Sequence, residues 1–398
     1  MKNEKSSVKV GDQLTVEITK IVPRGLGLGF AEGTTVFVPL AAAGDTVSVS
    51  VREVKGNTAF AEIDAVIKPS EHRIDPPCPY FGRCGGCDFQ QMNYAAQGDA
   101  KVGIIRDCLH RIGKIDYSGE FNIVPSPLEF GYRSRVQWHA DVKEHTIGYY
   151  RRLTHDVIDV EQCPIASPEL NRTLAELRES IEWETIWGNR IAIEAANGDD
   201  GSVSIYSSEL TLPTNAITAT AASEKFNYSA RSFFQGNRSI VEQLIASAID
   251  GATGETAIDL YSGVGLFALP LARKFKKVIA VEENPEAVDF AEVNARRGDI
   301  TNTSFIRDKV DKFVRDAAPE SADFVLLDPP RAGGSKETIR HISRIAANEI
   351  SYVSCEPSIL ARDLRWLIDW GFGIERITAI DMFPQTHHVE TVVRLKRQ

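Results

Sequence analysis

The chain has 398 residues, of which 43% are hydrophobic and 25% charged, and 45 Lys and Arg stand against 55 Asp and Glu for a formal net charge of −10. These proportions are those of a globular protein with room for two or three domains, and no apolar run is long enough to span a bilayer. They exclude a helical membrane protein and a partner gripped by a uniformly basic surface, although a local basic patch is compatible with them.

The polar start MKNEKSSVKVGDQ has no apolar signal core, so a cytoplasmic protein is expected. Residues 1–67 then read as all-β. LTVEITKIV alternates apolar and polar side chains, RGLGLGF supplies glycines for a bend or bulge, and TVFVPL, DTVSVSVREV and NTAFAEIDAVI continue the pattern. Several short strands in so few residues predict an OB-like β-barrel. Such a barrel is either a nucleic-acid or oligosaccharide surface or a structural appendage, and the pattern leaves both open.

Residues 68–93 are rich in Pro, Gly and Cys and read as loop. Three of the six cysteines, Cys78, Cys84 and Cys87, are spaced C-x5-C-x2-C around Gly85 and Gly86, and Cys163 follows in DVEQCPI. In a reducing compartment four such thiols point to a metal site more than to disulfides. Zinc and an iron–sulfur cluster both suit four thiolates, and spacing does not choose between them. The segment 94–116 reads as a helix with Val102, Ile105, Leu109 and Ile112 on one face, and Cys108 within it is expected to pack. VQWHADV, HTIGYY and HDVIDV read as strands. Arg133, Arg135, Arg151 and Arg152, with Tyr132 and Trp138 nearby, form either a surface for single-stranded RNA or a solvated strand face.

From about residue 231, strands and helices alternate. TAIDLY, KVIAVE, ADFVLLD, EISYVSC and ETVVRL are strand-like, which predicts a doubly wound α/β sheet. In TAIDLYSGVGLFALPLARKF, Gly263 and Gly265 let the backbone approach a ligand at a helix start, and Asp259 ends the strand beside them. Glu282 closes the next strand, where an acid can accept hydrogen bonds from a ribose diol. The same loop fits a loose dinucleotide pattern, so a nicotinamide- or flavin-dependent oxidoreductase is a rival at this step.

Asp328 in DPPR and Cys355 in SCEP follow apolar strands at the rim where open α/β sheets bind ligands. Cys355 is a candidate nucleophile, against the alternative of a core cysteine. Glu390 opens the last strand, after His387 and His388, which are assigned no chemical step. A thiol and a carboxylate suit methylation at carbon 5 of a pyrimidine. Thiolate addition at carbon 6 makes carbon 5 nucleophilic, and a base then removes the carbon 5 proton so that the thiol can leave.

Taken together these segments resemble the bacterial RNA (uracil-5-)-methyltransferase family that carries an N-terminal TRAM domain, and the resemblance spans essentially the whole chain. It implies a [4Fe–4S] cluster on Cys78, Cys84, Cys87 and Cys163, and S-adenosyl-L-methionine as cofactor. SFFQGN implies Gln235 as a ligand of the methionine part, and DLYSGVG, VEENPEAV and DPPR imply Tyr261, Glu282 and Asp328 as binding residues. SCEPSILARDL and HHVET imply Cys355 as nucleophile and Glu390 as general base. Where the family often has cysteine in DLYCG, Ser262 stands here. The expected fold is multidomain α/β. It comprises a TRAM barrel (1–67), a mixed α+β iron–sulfur central domain (68–93 and 117–230) and a Rossmann-like methyltransferase domain (94–116 and 231–398). The expected partner is RNA, ribosomal ahead of transfer RNA, with no membrane and a monomeric chain. A non-catalytic RNA-binding protein is the other rival, and intact Cys355 and Glu390 argue against it.

Overall fold

The computed structural model describes residues 8–398, so the reading of residues 1–7 lies outside the described residues. Five strands open the chain: β1 (Gln13–Val22), β2 (Leu26–Ala31), β3 (Thr34–Pro39), β4 (Thr46–Lys55) and β5 (Thr58–Lys68). They close into a barrel in the order β1-β2-β3-β5-β4. The alternation of their side chains fills the interior with Val16, Ile18, Val36, Val38, Val47, Val49 and Ala59. The glycine segment makes the β1–β2 turn, with Gly25 at a φ of 70°, and the register shift lies on β1 between Ile18 and Lys20, opposite the glycine strand. Gly29 is required beside it, because a Cβ there would lie 2.3 Å from Val16 Cγ1.

A loop carrying the cysteine triplet leads to helix α1 (Tyr94–Cys108), capped by the Asn93 side chain on the Ala96 N–H. The helix is as expected, and Ile105 and Leu109 are buried as read, but the buried face differs in part. Gln97, Lys101, Ile104, Ile105 and Cys108 point inward, while Ile112 is 46% exposed. A π-helical turn at Leu109–Gly113 changes the angular phase, and the buried polar side chains have partners that periodicity does not reveal. Cys108 packs in the core, as expected.

Strand β6 (Asn122–Val124) follows, then β7 (Arg135–Asp141), β8 (Thr146–Tyr150), β9 (Val157–Asp159), helix α2 (Pro168–Ser180), β10 (Arg190–Asn197) and β11 (Val203–Tyr206). The last five strands form an antiparallel sheet, β11-β10-β7-β8-β9. Leu170, Leu174 and Leu177 of α2 pack on Val136, Trp138, Ile191 and Ile193 beneath it. A hairpin of β12 (Ile217–Ala221) and β13 (Glu224–Tyr228) links this unit to the rest.

The remaining elements are α3 (Val241–Ile249), β14 (Gly254–Leu260), α4 (Ala268–Ala272), β15 (Phe275–Glu282), α5 (Pro285–Arg297), β16 (Thr303–Arg307), α6 (Val310–Asp316), β17 (Ala322–Leu327), α7 (Lys336–Ile345), β18 (Ala346–Ser354), α8 (Pro357–Asp369), β19 (Phe372–Ile380) and β20 (Glu390–Arg397). They build an eight-stranded sheet in the order β16-β15-β14-β17-β18-β20-β19-β6. Helices α3, α4 and α5 cover one face, and α6, α7 and α8 the other. The doubly wound sheet read from the sequence is therefore present. β6, read as part of the central segment, extends this sheet by pairing in parallel with β19. Strand order reverses at β14, which lies between β15 and β17. That switch point opens a crevice beyond the carboxyl ends of the strands. No helix among the described residues is long and apolar enough to cross a membrane.

Candidate active site

The crevice is a cavity of about 760 Å³, and Gln235, Tyr261, Gly263, Glu282, Asp328, Cys355 and Glu390 all line it. Seven residues separated by up to 155 positions in the chain are thus brought together by the strand ends of one sheet. Tyr261 directly follows β14 at a φ of 64°, a left-handed conformation that a bulky residue keeps only where its surroundings enforce it. Gly263 has a φ of 53°, and a Cβ built on it would meet nothing within 4 Å, so its backbone faces open pocket. Glu282 Oε2 accepts the Gly263 N–H at 3.0 Å and Oε1 accepts the Asn284 N–H at 2.8 Å. The acid at the end of β15 is therefore fixed beside the glycine loop.

Two predicted residues do not line the cavity. Asp259 is buried under the loop, and burial, with the Asp328 charge next, holds its carboxyl well above the usual range. Gly265 serves the turn into α4. Its φ is 93°, and a Cβ would lie 2.4 Å from Leu269 Cδ1. Both support the loop from behind, a distinction the linear motif does not carry.

Ser354 on β18 pairs with Thr391 on β20. One step beyond, Cys355 and Glu390 stand at the mouths of adjacent antiparallel strands. Burial pushes the Cys355 thiol up to about 12, with the Glu390 charge adding to it and Arg331 opposing. Burial and then Asp328 hold Glu390 well above the ordinary carboxyl range, again opposed by Arg331. Desolvation pushes Asp328 up to about 7. Cys355, Asp328 and Glu390 thus act on one another in one pocket, with the Arg331 guanidinium favouring the charged forms of Cys355 and Glu390. Deprotonating one therefore raises the cost of deprotonating the next.

Residues not singled out in the sequence also line the cavity, among them Phe233, Lys309, Asp311 and Phe383. Phe233 is 61% exposed at its mouth. Lys309 and Asp311 follow β16 at the same rim, so a strand reading of TSFIR would have found them.

The second cluster lies in the central region. Cys78, Cys84, Cys87 and Cys163 line one cavity of about 240 Å³, together with Arg133 and Tyr149. The Gly86 N–H donates to Cys84 Sγ at 3.4 Å. Burial raises the Cys84 thiol to about 11 and raises Cys78 and Cys87 as well. Among the described residues no three His, Cys, Asp or Glu side chains are grouped so that they could hold a single metal ion.

The arginine and aromatic surface is not assembled. Tyr132 and Trp138 are buried. Arg135 pairs with Glu194 at 2.8 Å and caps the Ala230 and Ser232 carbonyls. Arg152 pairs with Asp88 at 2.9 Å, and Arg133 lines the cysteine cavity. Of the four, only Arg151 is exposed. Alternation along a strand exposes one face, but the exposed face here is covered by neighbouring loops.

Comparison with known proteins fits this geometry. Residues 214–398 match the tRNA (uracil-5-)-methyltransferase family, and residues 7–63 match the TRAM domain. An RNA methyltransferase of Caldanaerobacter subterraneus subsp. tengcongensis is 32% identical, the match covering 98% of this chain and 100% of the relative. The 23S rRNA (uracil(1939)-C(5))-methyltransferase RlmD of Pectobacterium atrosepticum is 30% identical over 95% of this chain and 92% of its own. The chain belongs to the RNA (uracil-5-)-methyltransferase family. The crystal structure of the Pyrococcus abyssi tRNA (uracil-54, C5)-methyltransferase, in complex with S-adenosyl-L-homocysteine, superposes with a TM-score of 0.76 at 25% identity. That match covers 96% of this chain and 99% of the other. Family membership sets aside the oxidoreductase reading of the glycine loop. The N-terminal barrel is the TRAM domain, and the C-terminal sheet is the methyltransferase fold.

Proposed function

We propose that this protein methylates carbon 5 of a uridine in RNA through a transient covalent bond between Cys355 and the uracil ring. The observation that carries the reading is the meeting of Cys355 and Glu390 at adjacent strand mouths of one crevice, which Gln235, Tyr261, Glu282 and Asp328 also line. The crevice fits S-adenosyl-L-methionine. Its volume of about 760 Å³ is within the range of small-molecule sites, and the open backbone at Gly263 leaves room for close approach. Glu282 would accept hydrogen bonds from the ribose, and Gln235, Tyr261 and Asp328 would hold the remainder. When bound, this cofactor supplies a methyl group as an electrophile and leaves as S-adenosyl-L-homocysteine.

The protein's own residues do the rest. A uridine flipped from its stack enters beside Cys355. The Cys355 thiol gives its proton to solvent, and Sγ adds to carbon 6. The electrons of the 5,6 double bond move to the carbon 4 carbonyl, and carbon 5 becomes nucleophilic. Once carbon 5 carries the methyl group, the Glu390 carboxylate takes its proton. The electron pair of that C–H bond restores the 5,6 double bond, and the carbon–sulfur bond breaks to return the thiolate. Arg331 favours the charged forms of both groups and so lowers the cost of reaching the reactive state.

Large-subunit ribosomal RNA is the proposed substrate class. This rests on the RlmD relative, at 30% identity over nearly the whole chain, and transfer RNA is the competing outcome. The barrel is proposed to contact that RNA. Mapping modified nucleosides by mass in RNA from cells lacking the protein decides the matter. A 5-methyluridine lost from 23S RNA supports the reading, one lost from transfer RNA reassigns the substrate, and no loss refutes methylation.

Cys78, Cys84, Cys87 and Cys163 are proposed to hold a [4Fe–4S] cluster. The reading is supported by the four thiols sharing the lining of one cavity. Arg133, which also lines the cavity, is of the charge that thiolate ligation would require nearby. When bound, the cluster would fix the 78–93 loop. Iron and acid-labile sulfide analysis of anaerobically purified protein tests it.

A further inference from the structure

Glu390 is reached through a loop, residues 381–389, that is fastened from two sides. Gln385, 2% exposed, sits at its turn with a φ of 67°. A non-glycine residue keeps that conformation only where its surroundings over-determine it. Two elements supply the constraint. From the cysteine loop, the Asp88 and Phe89 N–H groups each donate to the Gln385 carbonyl at 3.0 Å. From α1, Gln97 Nε2 donates to Gln385 Oε1 at 3.0 Å, and the Gln385 N–H donates to Gln97 Oε1 at 2.9 Å.

Gln97 is itself buried, and its amide also donates to the Met92 carbonyl at 3.0 Å. A buried amide pair hydrogen-bonded in this way favours one geometry, since another would leave these polar groups unpaired. One turn along α1, Lys101 donates to the Phe383 carbonyl at 3.0 Å. Phe383 lines the crevice with Cys355 and Glu390.

We propose that Gln97 is a positioning residue for the base: through Gln385 it sets where Glu390 and Phe383 meet the uracil ring. The inference rests on the covalent reading above. It makes a directional claim. Cys355 directly follows β18, which its neighbours β17 and β20 hold on both sides, whereas Glu390 is the first residue of β20 and its pairing with Ile380 closes the 381–389 loop, so addition and methylation should survive a loosened loop better than proton removal. Proton removal needs Glu390 within hydrogen-bond reach of carbon 5 and should not survive it.

The test is Gln97→Leu, read beside Glu390→Gln with undermethylated bulk RNA. The expected result is a fall in kcat on the order of 100-fold, with methylated protein–RNA adduct accumulating. Affinity for S-adenosyl-L-homocysteine should stay within about twofold of the parent. Gln97→Asn keeps the amide on a shorter stem, so its loss should fall between that of Gln97→Leu and none. It is also the variant to read if Gln97→Leu does not fold. Unchanged kcat, or a loss without adduct, or a parallel loss of S-adenosyl-L-homocysteine affinity, overturns the proposal. If Glu390→Gln itself leaves no adduct, the covalent reading has failed instead.

Discussion

Cys355 and Glu390 face each other across the β18–β20 pair, one register step past Ser354 and Thr391. The proposed nucleophile and base therefore stand at neighbouring ends of strands that are hydrogen-bonded to one another.

Replacing Glu390 with Gln should uncouple the two halves of the reaction. Methyl transfer should proceed, and the methylated adduct should accumulate on gels run under denaturing conditions. The same variant has a stability signature. The folded protein holds the Glu390 carboxyl above the ordinary value, so it binds that proton more tightly than the unfolded chain does. The stability from this proton is complete below a pH of about 4.3 and is lost as pH rises through the folded value. Gln carries no such loss, so Glu390→Gln should raise the melting temperature more at pH 9 than at pH 5. An equal shift at both would contradict the sign.

Activity should rise with pH through neutrality. The reaction needs a thiolate and a carboxylate, and the pocket raises both Cys355 and Glu390. Arg331 lowers both, so Arg331→Gln should displace the rising limb of kcat/KM to higher pH. A profile that falls in height without moving would leave Arg331 a role in binding only.

Glu282→Ala should weaken S-adenosyl-L-homocysteine by roughly 10- to 100-fold, as loss of charged hydrogen bonds costs about 1.5–3 kcal/mol. Calorimetric titration measures it. Wild-type affinity would mean that the acid serves only to fasten Gly263 and Asn284.

Lys101 and Asp381 form a buried pair at 2.5 Å, and burial lowers the Lys101 pKa while Asp381 opposes that shift. Removing one partner strands the other charge. Lys101→Met should cost about 3–5 kcal/mol in urea unfolding, and adding Asp381→Leu should recover most of it. A double variant as unstable as the single one would show that the loss comes from packing.

The sequence announces this site because strand ends are where an α/β sheet places chemistry. Each of Tyr261, Glu282, Asp328 and Cys355 comes after a recognisable apolar run, so each could be placed at the rim before the fold was known. Lys309 and Asp311 escaped that reading, because the strand ahead of them, TSFIR, is short and half-exposed and shows no apolar run. Depth was not legible either. Asp259 and Gly265 belong to the same motif as Gly263, yet they face inward. The pair of Gln97 and Gln385 is separated by 288 positions, and no periodicity reports on a contact between two buried polar side chains. For the same reason Arg135 and Arg152 read as a surface and proved to be tethers.

The sharpest measurement is peptide mass mapping after incubation with S-adenosyl-L-methionine and RNA in which 5-fluorouridine replaces uridine. Fluorine at carbon 5 leaves no proton for Glu390 to remove, so the adduct cannot release its thiol. The account predicts a peptide containing Cys355 that carries one nucleotide bearing an added methyl group, absent from Cys355→Ala. Turnover by Cys355→Ala on ordinary RNA, or the nucleotide found on a different residue, would contradict it.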